Sequence, residues 1–249
     1  MPLFGLIGYP LGHSYSADLF NDRFRKECKT DFSYRLFPLK TVSEFTKLLK
    51  DQPELCGLNV TIPYKESILP FLDHMEETAR RIGAVNTIVI RRGSHDLKTV
   101  GYNTDAGGFL RSLPVDIPWS GALILGSGGA AKAVAYALQQ KNIRYLFVSR
   151  THTSECFLPY ENITKEILHN HSLIVNATPV GMSPDTEGIP PLPWELLTPD
   201  HFLYDLVYNP PETRFMHAGR LQGCRVMNGE KMLQEQAGLA WDLFMDPFH

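Results

Sequence analysis

The sequence predicts an α/β protein of two domains, and three observations carry that reading. In the first part of the chain, apolar runs of strand length alternate with amphipathic helical stretches, a pattern that yields a mostly parallel sheet with helices on both faces. From Gly121 a second alternation begins with an apolar run, a glycine-rich turn and a helix. The 249 residues, 43% of them apolar, exceed one average domain and suffice for two ordinary cores.

Phe4 to Ile7 reads as a buried strand, stopped by Gly8-Tyr9-Pro10-Leu11-Gly12. The spacing of Leu19, Phe20 and Phe24 then predicts an amphipathic helix from Ser16 to Glu27. Between them, Gly12-His13-Ser14-Tyr15-Ser16 sets two hydroxyls two residues apart at a helix mouth, where the first N–H groups lack intrahelical partners. Ser14 and Ser16 therefore read as a seat for a carboxylate or phosphate, or one of them as a plain N-cap; His13 reads as a turn residue. A strand from Phe32 to Leu36, a helix through Val42, Phe45, Leu48 and Leu49, and a strand from Leu55 to Ile62 follow.

That third strand ends in Asn59-Val60-Thr61-Ile62-Pro63-Tyr64-Lys65. Asn59 and Thr61 place polar groups at the strand's carboxyl end, and Pro63 suits the first turn of a helix. Lys65 then falls where the helix dipole disfavours a cation by a few tenths to ~1 kcal/mol. A residue set against its local preference points to function, the alternative being a solvated surface lysine. Helices are predicted near Ile68 to Leu72 and from Met75 to Ile82, the latter ending at Gly83. Ala84 to Ile90 and Leu97 to Asn103 read as a hairpin. Asn86 interrupts its β-branched run, so its buried amide needs a partner, either a ligand or a neighbouring backbone. In Gly101-Tyr102-Asn103-Thr104-Asp105-Ala106-Gly107-Gly108 another strand opens into a helix; Asp105 reads as a cap, or as the carboxylate that shares a substrate oxygen with Lys65.

After a connection from Leu113 to Trp119, Ala122-Leu123-Ile124-Leu125 is a buried strand and Ala131 to Gln140 a helix. The turn between them, Gly126-Ser127-Gly128-Gly129-Ala130-Ala131, fits the glycine fingerprint of a Rossmann-type dinucleotide-binding domain. Gly126 makes the turn, Gly128 lets a pyrophosphate approach the backbone, and Ala131 allows helix to pack on sheet. The next strand, Tyr145 to Val148, ends in Ser149-Arg150-Thr151 with no acid for ribose hydroxyls, and Arg150 with Thr151 suits the 2′-phosphate of NADP, the alternative being an exposed arginine that binds nothing. Further strands are expected at Leu173 to Asn176 and Phe202 to Val207, and helices near Ile163 to Leu168, from Glu212 to Leu221 and from Lys231 to Phe244. In the last, Leu233, Gln236, Ala237 and Ala240 share a stripe that turns Gln236 inward.

Composition narrows the partners. The net charge is −3, with 24 basic and 27 acidic residues and no basic run, which excludes a nucleic-acid stripe. Cys28, Cys56, Cys156 and Cys224 are scattered, without metal-ligand spacing, and read as reduced thiols in cores; His169 and His171 read as surface residues, and no metal is expected. No signal peptide and no apolar run approaching ~18 residues is present, so the expectation is a soluble, cytoplasmic protein, free of membrane and nucleic acid.

Gly12 to Ser16, Asn59 to Lys65, Gly83-Ala84-Val85-Asn86-Thr87, Gly101 to Gly108, Gly126 to Ala131, Asn176-Ala177-Thr178-Pro179, Tyr208-Asn209-Pro210 and Met232-Leu233-Gln234-Glu235-Gln236-Ala237 resemble, in that order, the motifs of shikimate dehydrogenases. The resemblance covers nearly the whole chain. It implies NADPH-dependent reduction of 3-dehydroshikimate to shikimate, on the route to aromatic amino acids, by a monomer or homodimer. It also implies a substrate-binding domain over 1–104, completed by a returning C-terminal helix at 231–249, and an NADP-binding domain over 105–230. Carried over position by position, Ser14 and Ser16 hold the substrate carboxylate, with Tyr208 near it. Thr61, Asn86, Asp105 and Gln236 take the ring hydroxyls, and Lys65 and Asp105 form the catalytic pair. Two departures stand out. After Ser149-Arg150-Thr151 comes His152-Thr153-Ser154, without the family's second basic residue, which implies looser discrimination between NADP and NAD. The stretch from His152 to Asn170 is also short, as though a helix and a strand were trimmed. The rivals are an enzyme of the same superfamily that oxidises quinate as well, and a non-catalytic sensor of the same fold, against which stand the intact Lys65 and Asp105.

Overall fold

A computed structural model of the chain describes residues 1–12, 15–93, 96–150 and 156–246, so Ser14 and Thr151 lie outside the described residues. The chain divides into two compact units, Met1–Thr104 with Gly238–His249, and Asp105–Ala237.

The first unit holds β1 (Leu3–Gly8), α1 (Ser16–Lys26), β2 (Ser33–Pro38), α2 (Glu44–Asp51), β3 (Leu55–Val60), the single turn α3 (Tyr64–Ser67), β4 (His74–Met75), α4 (Glu77–Ile82), β5 (Thr87–Arg92) and β6 (Leu97–Tyr102). Its sheet runs β2-β1-β3-β5-β6-β4. β1 is parallel to both β2 and β3, because α1 and α2 supply crossovers long enough to bring the chain back to the same end. β5 is antiparallel to β3 and β6, since the hairpin joining β5 to β6 can only reverse direction. The helix expected from Met75 starts later. Met75 instead pairs with Gly101, and the Asp73 carboxylate accepts from the Thr99 N–H and hydroxyl, each at 2.8 Å, so the helix begins only after Glu76 caps the Thr78 N–H. Those two donors hold the Asp73 carboxyl below its usual value. The helix ends where expected, at Gly83 in the left-handed region (φ 71°).

The second unit contains α5 (Asp105–Ser112), β7 (Ala122–Leu125), α6 (Gly129–Gln140), β8 (Tyr145–Val148), β9 (Phe157–Leu158), α7 (Lys165–His169), β10 (Leu173–Asn176), β11 (Phe202–Asp205), α8 (Arg214–Leu221), β12 (Arg225–Met227) and the first half of α9 (Glu230–Met245). Its sheet, β12-β11-β10-β7-β8-β9, is parallel throughout, and its central strands β7 and β10 are buried along their length, as a sheet covered on both faces requires. The chain travels outward from β7 to β9 and then crosses back to β10, so β7 and β10 flank the point at which strand order reverses. The edge strand is not lost from the short 152–170 stretch: it survives as Phe157–Leu158, with Phe157 stacked on Phe147 at 5.0 Å.

One face of the first sheet packs Leu3 and Ile7 against Phe45, Leu49, Tyr64, Ile68 and Ala79. Phe4, one residue out of phase, points to the other face and joins Phe20, Phe24, Phe32, Trp241 and Phe244. The final turns of α9 thus belong to the first unit. Its beginning belongs to the second, because α9 lies on α5 at Gly108, where a Cβ would come within 2.7 Å of Gln236 Cβ. For that reason the contact boundary falls at Gly238 and not at Lys231. All four cysteines are free, but only Cys224 is buried; Cys28 and Cys156 are exposed and Cys56 half-buried, so the expectation of core thiols holds for one of them. Among the described residues no helix is long and apolar enough to cross a membrane, and no cluster of three metal-ligating side chains occurs.

Candidate active site

The predicted lysine turn is built by backbone hydrogen bonds at the carboxyl ends of β1 and β3 and the amino end of β5. After β3 the Thr61 N–H donates to the Ile7 carbonyl at 2.9 Å, and Tyr64 N–H to the Thr61 carbonyl at 2.9 Å, which turns the chain into α3. Gly8 is required beside it, since a Cβ there would meet Thr61 Cγ2 at 2.4 Å. Tyr64 anchors the turn from below, its phenol donating to the Leu39 carbonyl at 2.6 Å. The Lys65 carbonyl accepts from Val85 N–H at 2.8 Å, and the Asn86 carbonyl accepts from Val60 N–H at 2.8 Å, so Thr61, Lys65 and Asn86 are tied together within one unit. α3 is a single turn of four residues, which leaves little macrodipole to act on Lys65; its placement at the strand end, more than its helix position, distinguishes it.

Of the two partners foreseen for Asn86, neighbouring chain is present. Its Oδ1 accepts from the Thr104 N–H at 2.7 Å, and its Nδ2 donates to Thr104 Oγ1 at 2.9 Å. Two further polar residues, Tyr34 and Thr87, reach this cluster through Asn59 and were not singled out from sequence. Thr87 Oγ1 receives Asn59 Nδ2 at 3.1 Å, and Tyr34, buried in β2, donates to Asn59 Oδ1 at 2.8 Å. Burial pushes the Tyr34 phenol well above its ordinary value while a hydrogen bond with Ser16 pulls it back, so Ser16, the first residue of α1, is joined to the same network. Only strand pairing brings Tyr34, Asn59 and Thr87 together; a tyrosine inside an apolar run carries no such signal. No buried side-chain polar atom among the described residues lacks a hydrogen-bond partner.

In the second unit Asp105 is buried and begins α5 as its first helical residue, which leaves the capping position to Thr104. One turn on, Gly108 meets Gln236, so Asp105 and Gln236 stand on elements in contact. Gln236 is half-buried and donates from Nε2 to the Leu233 carbonyl at 3.1 Å. Tyr208 is half-buried in the run that follows β11.

The glycine turn follows β7. Gly126 has φ 107°, its N–H donates to the Val148 carbonyl at 2.8 Å, and a Cβ on it would meet Thr178 Cγ2 at 3.0 Å and the Ala177 carbonyl at 3.3 Å. Gly126→Ala is therefore expected to destabilise the second unit by about 1–3 kcal/mol, read as a lower thermal unfolding midpoint, and an unchanged midpoint would remove the conformational argument. Gly128, extended at φ −79°, precedes α6 without any side-chain cap, and Ala131 is fully buried under the helix. Ser127, Gly129 and Ala130 are partly exposed around them. An uncapped twelve-residue helix opening beside a switch point is a seat for a pyrophosphate, so the residues present fit a dinucleotide. At the end of β8, the Ser149 N–H donates to the Leu158 carbonyl at 3.1 Å, and Arg150 is exposed. Arg150 lies near Tyr160, whose phenol burial pushes up to about 12 against the pull of that guanidinium.

Residues 6–88 match the family profile described as the shikimate dehydrogenase substrate binding domain. The shikimate dehydrogenase (NADP(+)) of Desulforamulus reducens is 35% identical over 96% of this chain and 88% of its own, and that of Carboxydothermus hydrogenoformans 38% identical over 96% and 90%. The chain belongs to the shikimate dehydrogenase family. Among solved structures, the shikimate 5-dehydrogenase of Thermus thermophilus in complex with NADP(H) and shikimate is 33% identical with a TM-score of 0.83, over 98% of this chain and 93% of that one. The quinate dehydrogenase of Corynebacterium glutamicum in complex with NAD is 30% identical with a TM-score of 0.81, over 98% and 93%. The shikimate dehydrogenase resemblance thus extends from the eight motifs to the whole fold of two α/β sheets and a C-terminal helix.

Proposed function

We propose that the protein catalyses the NADPH-dependent, reversible reduction of 3-dehydroshikimate to shikimate, a step toward aromatic amino acids. The observation that carries this reading is near full-length likeness, at 35–38% identity, to relatives named for NADP-dependent shikimate dehydrogenation. The second unit takes the dinucleotide. NADPH, when bound, supplies the hydride. Gly126, Ser127, Gly128, Gly129, Ala130 and Ala131 receive its pyrophosphate through backbone N–H groups, and Ser149, Arg150 and Thr151 receive its adenosine end. Ser14, Ser16 and Tyr208 hold the substrate carboxylate. Thr61, Asn86, Asp105 and Gln236 hold the ring hydroxyls and so fix which carbon faces the cofactor. As negative charge grows on the carbonyl oxygen, the Lys65 ammonium donates to it, and Asp105 orients lysine and substrate hydroxyl. We assign the activity to the cytoplasm and to a monomer or homodimer.

A specific likeness favours quinate as the second reading, because a quinate dehydrogenase shares the fold at 30% identity. The test is steady-state turnover of shikimate and quinate, each with NADP and with NAD. Shikimate with NADP is expected to give the largest kcat/KM, with a narrowed margin over NAD because the sequence after β8 offers the 2′-phosphate Arg150 without the family's second basic residue. A clear preference for quinate with NAD would transfer the assignment to the other enzyme.

A further inference from the structure

Asp205, the last residue of β11, is fully buried at the carboxyl end of the second sheet, and the catalytic scheme above makes no use of it. Its Oδ1 accepts from Asn176 Nδ2 at 2.9 Å and from the Val207 N–H at 3.0 Å, and its Oδ2 from Thr213 Oγ1 at 2.5 Å. Each donor lies on a different stretch: Asn176 closes β10, Val207 starts the run to Tyr208, and Thr213 caps α8. The groups that face Asp205 from these stretches are an amide, a backbone N–H and a hydroxyl, none of them ionisable. Burial pushes its carboxyl up to about 6 against the pull of those three donors, and the form that accepts from all three is the carboxylate.

The order radiates outward from this hub. Asn176 Oδ1 accepts from the Thr178 hydroxyl at 2.6 Å and its N–H at 3.2 Å, and Thr178 Oγ1 accepts from Val180 N–H at 3.3 Å. Thr178 is also the residue whose methyl would meet a Cβ on Gly126, so the loop after β10 abuts the glycine turn at the switch point. On the other side, Ser183 N–H donates to the Asn209 carbonyl at 3.0 Å, which joins the loop after β10 to the loop after β11.

We propose that Asp205 is a positioning residue for the dinucleotide: its carboxylate holds the 176–180 and 206–213 loops in the register that leaves room beside the glycine turn for the nicotinamide end of NADPH. This rests on the functional reading above. The experiment compares full-length wild type, Asp205→Ala and Asp205→Asn by calorimetric titration with NADPH, and by amide hydrogen exchange of the unliganded proteins. Asp205→Ala removes the acceptor that three buried donors share and is expected to weaken NADPH binding roughly tenfold or more. Exchange should speed up at Thr178, Val180 and Val207 while Thr61 and Val85 in the first unit stay protected. Asp205→Asn keeps an acceptor oxygen for Asn176 and Val207 and can donate to Thr213 Oγ1, so it should recover most of the affinity. Wild-type affinity and exchange in Asp205→Ala would overturn the positioning role alone. A wild-type protein that binds no NADPH would instead overturn the functional reading on which it depends. Should Asp205→Ala fail to fold, Thr213→Val removes one donor while keeping the side-chain shape; a severalfold loss of NADPH affinity is expected, and an unchanged affinity overturns the role.

Discussion

Lys65→Ala is expected to lower kcat by about 10²–10³-fold while leaving the KM for shikimate within a few fold of wild type. The size follows from what the proposed mechanism assigns to Lys65, the cationic donor to the oxygen on which charge accumulates, with no metal-ligating cluster among the described residues to take its place. The fold should survive, because the hydrogen bond that pins this turn runs from Val85 N–H to the Lys65 carbonyl, and alanine keeps that carbonyl. Steady-state kinetics together with a melting curve separate the two effects. Unaltered turnover in a folded variant would strike Lys65 from the mechanism. Loss confined to KM would make it a binding group only.

Phe244→Ala should have the largest effect on stability, about 3–5 kcal/mol, a substantial part of what holds a domain folded. Its ring is buried, lies 4.9 Å from Phe4 and 5.8 Å from Phe20, and covers β3 where Gly57 leaves space: a Cβ there would come within 2.6 Å of it. Truncation would empty the middle of an aromatic face that little else can close over. Urea unfolding followed by tryptophan fluorescence reads the change through Trp241, which packs 5.0 Å from Phe24 in the same layer. Phe244→Leu should recover more than half of the loss, since it keeps most of the volume. Equal stability of wild type and alanine variant would show that the helix end contributes little to the core.

Much of the fold was legible because it rests on local rules. The apolar runs of β1, β3, β7 and β10 announced buried strands, the short polar break after Arg92 announced a hairpin, and Gly83 and Gly126 stand at positive φ where the chain had to turn. The lysine turn was legible for the same reason, since strand, proline and lysine are adjacent in sequence. What escaped depends on partners far along the chain. Met75 looks helical until the Asp73–Thr99 bonds draw it into an edge strand, and Tyr34 looks like one more apolar residue until β2 sets it 2.8 Å from Asn59. Asp205 is the clearest case. An aspartate ending an apolar strand resembles the start of any loop, and its role emerges only when Asn176, Val207 and Thr213 converge on it from separate stretches.

The division of α9, with its first turns in one unit and its last in the other, also sets a timetable for synthesis. Residues through Thr104 leave the ribosome on the order of ten seconds before Phe244 does, at ordinary elongation rates. During that interval Phe4, Phe20 and Phe24 have their strands and helix but not the aromatic cover supplied by Trp241 and Phe244. The nascent chain therefore carries a greasy, half-finished layer while the second unit is being made. It also means that residues 1–104 expressed by themselves, without the closing helix, should come out as inclusion bodies.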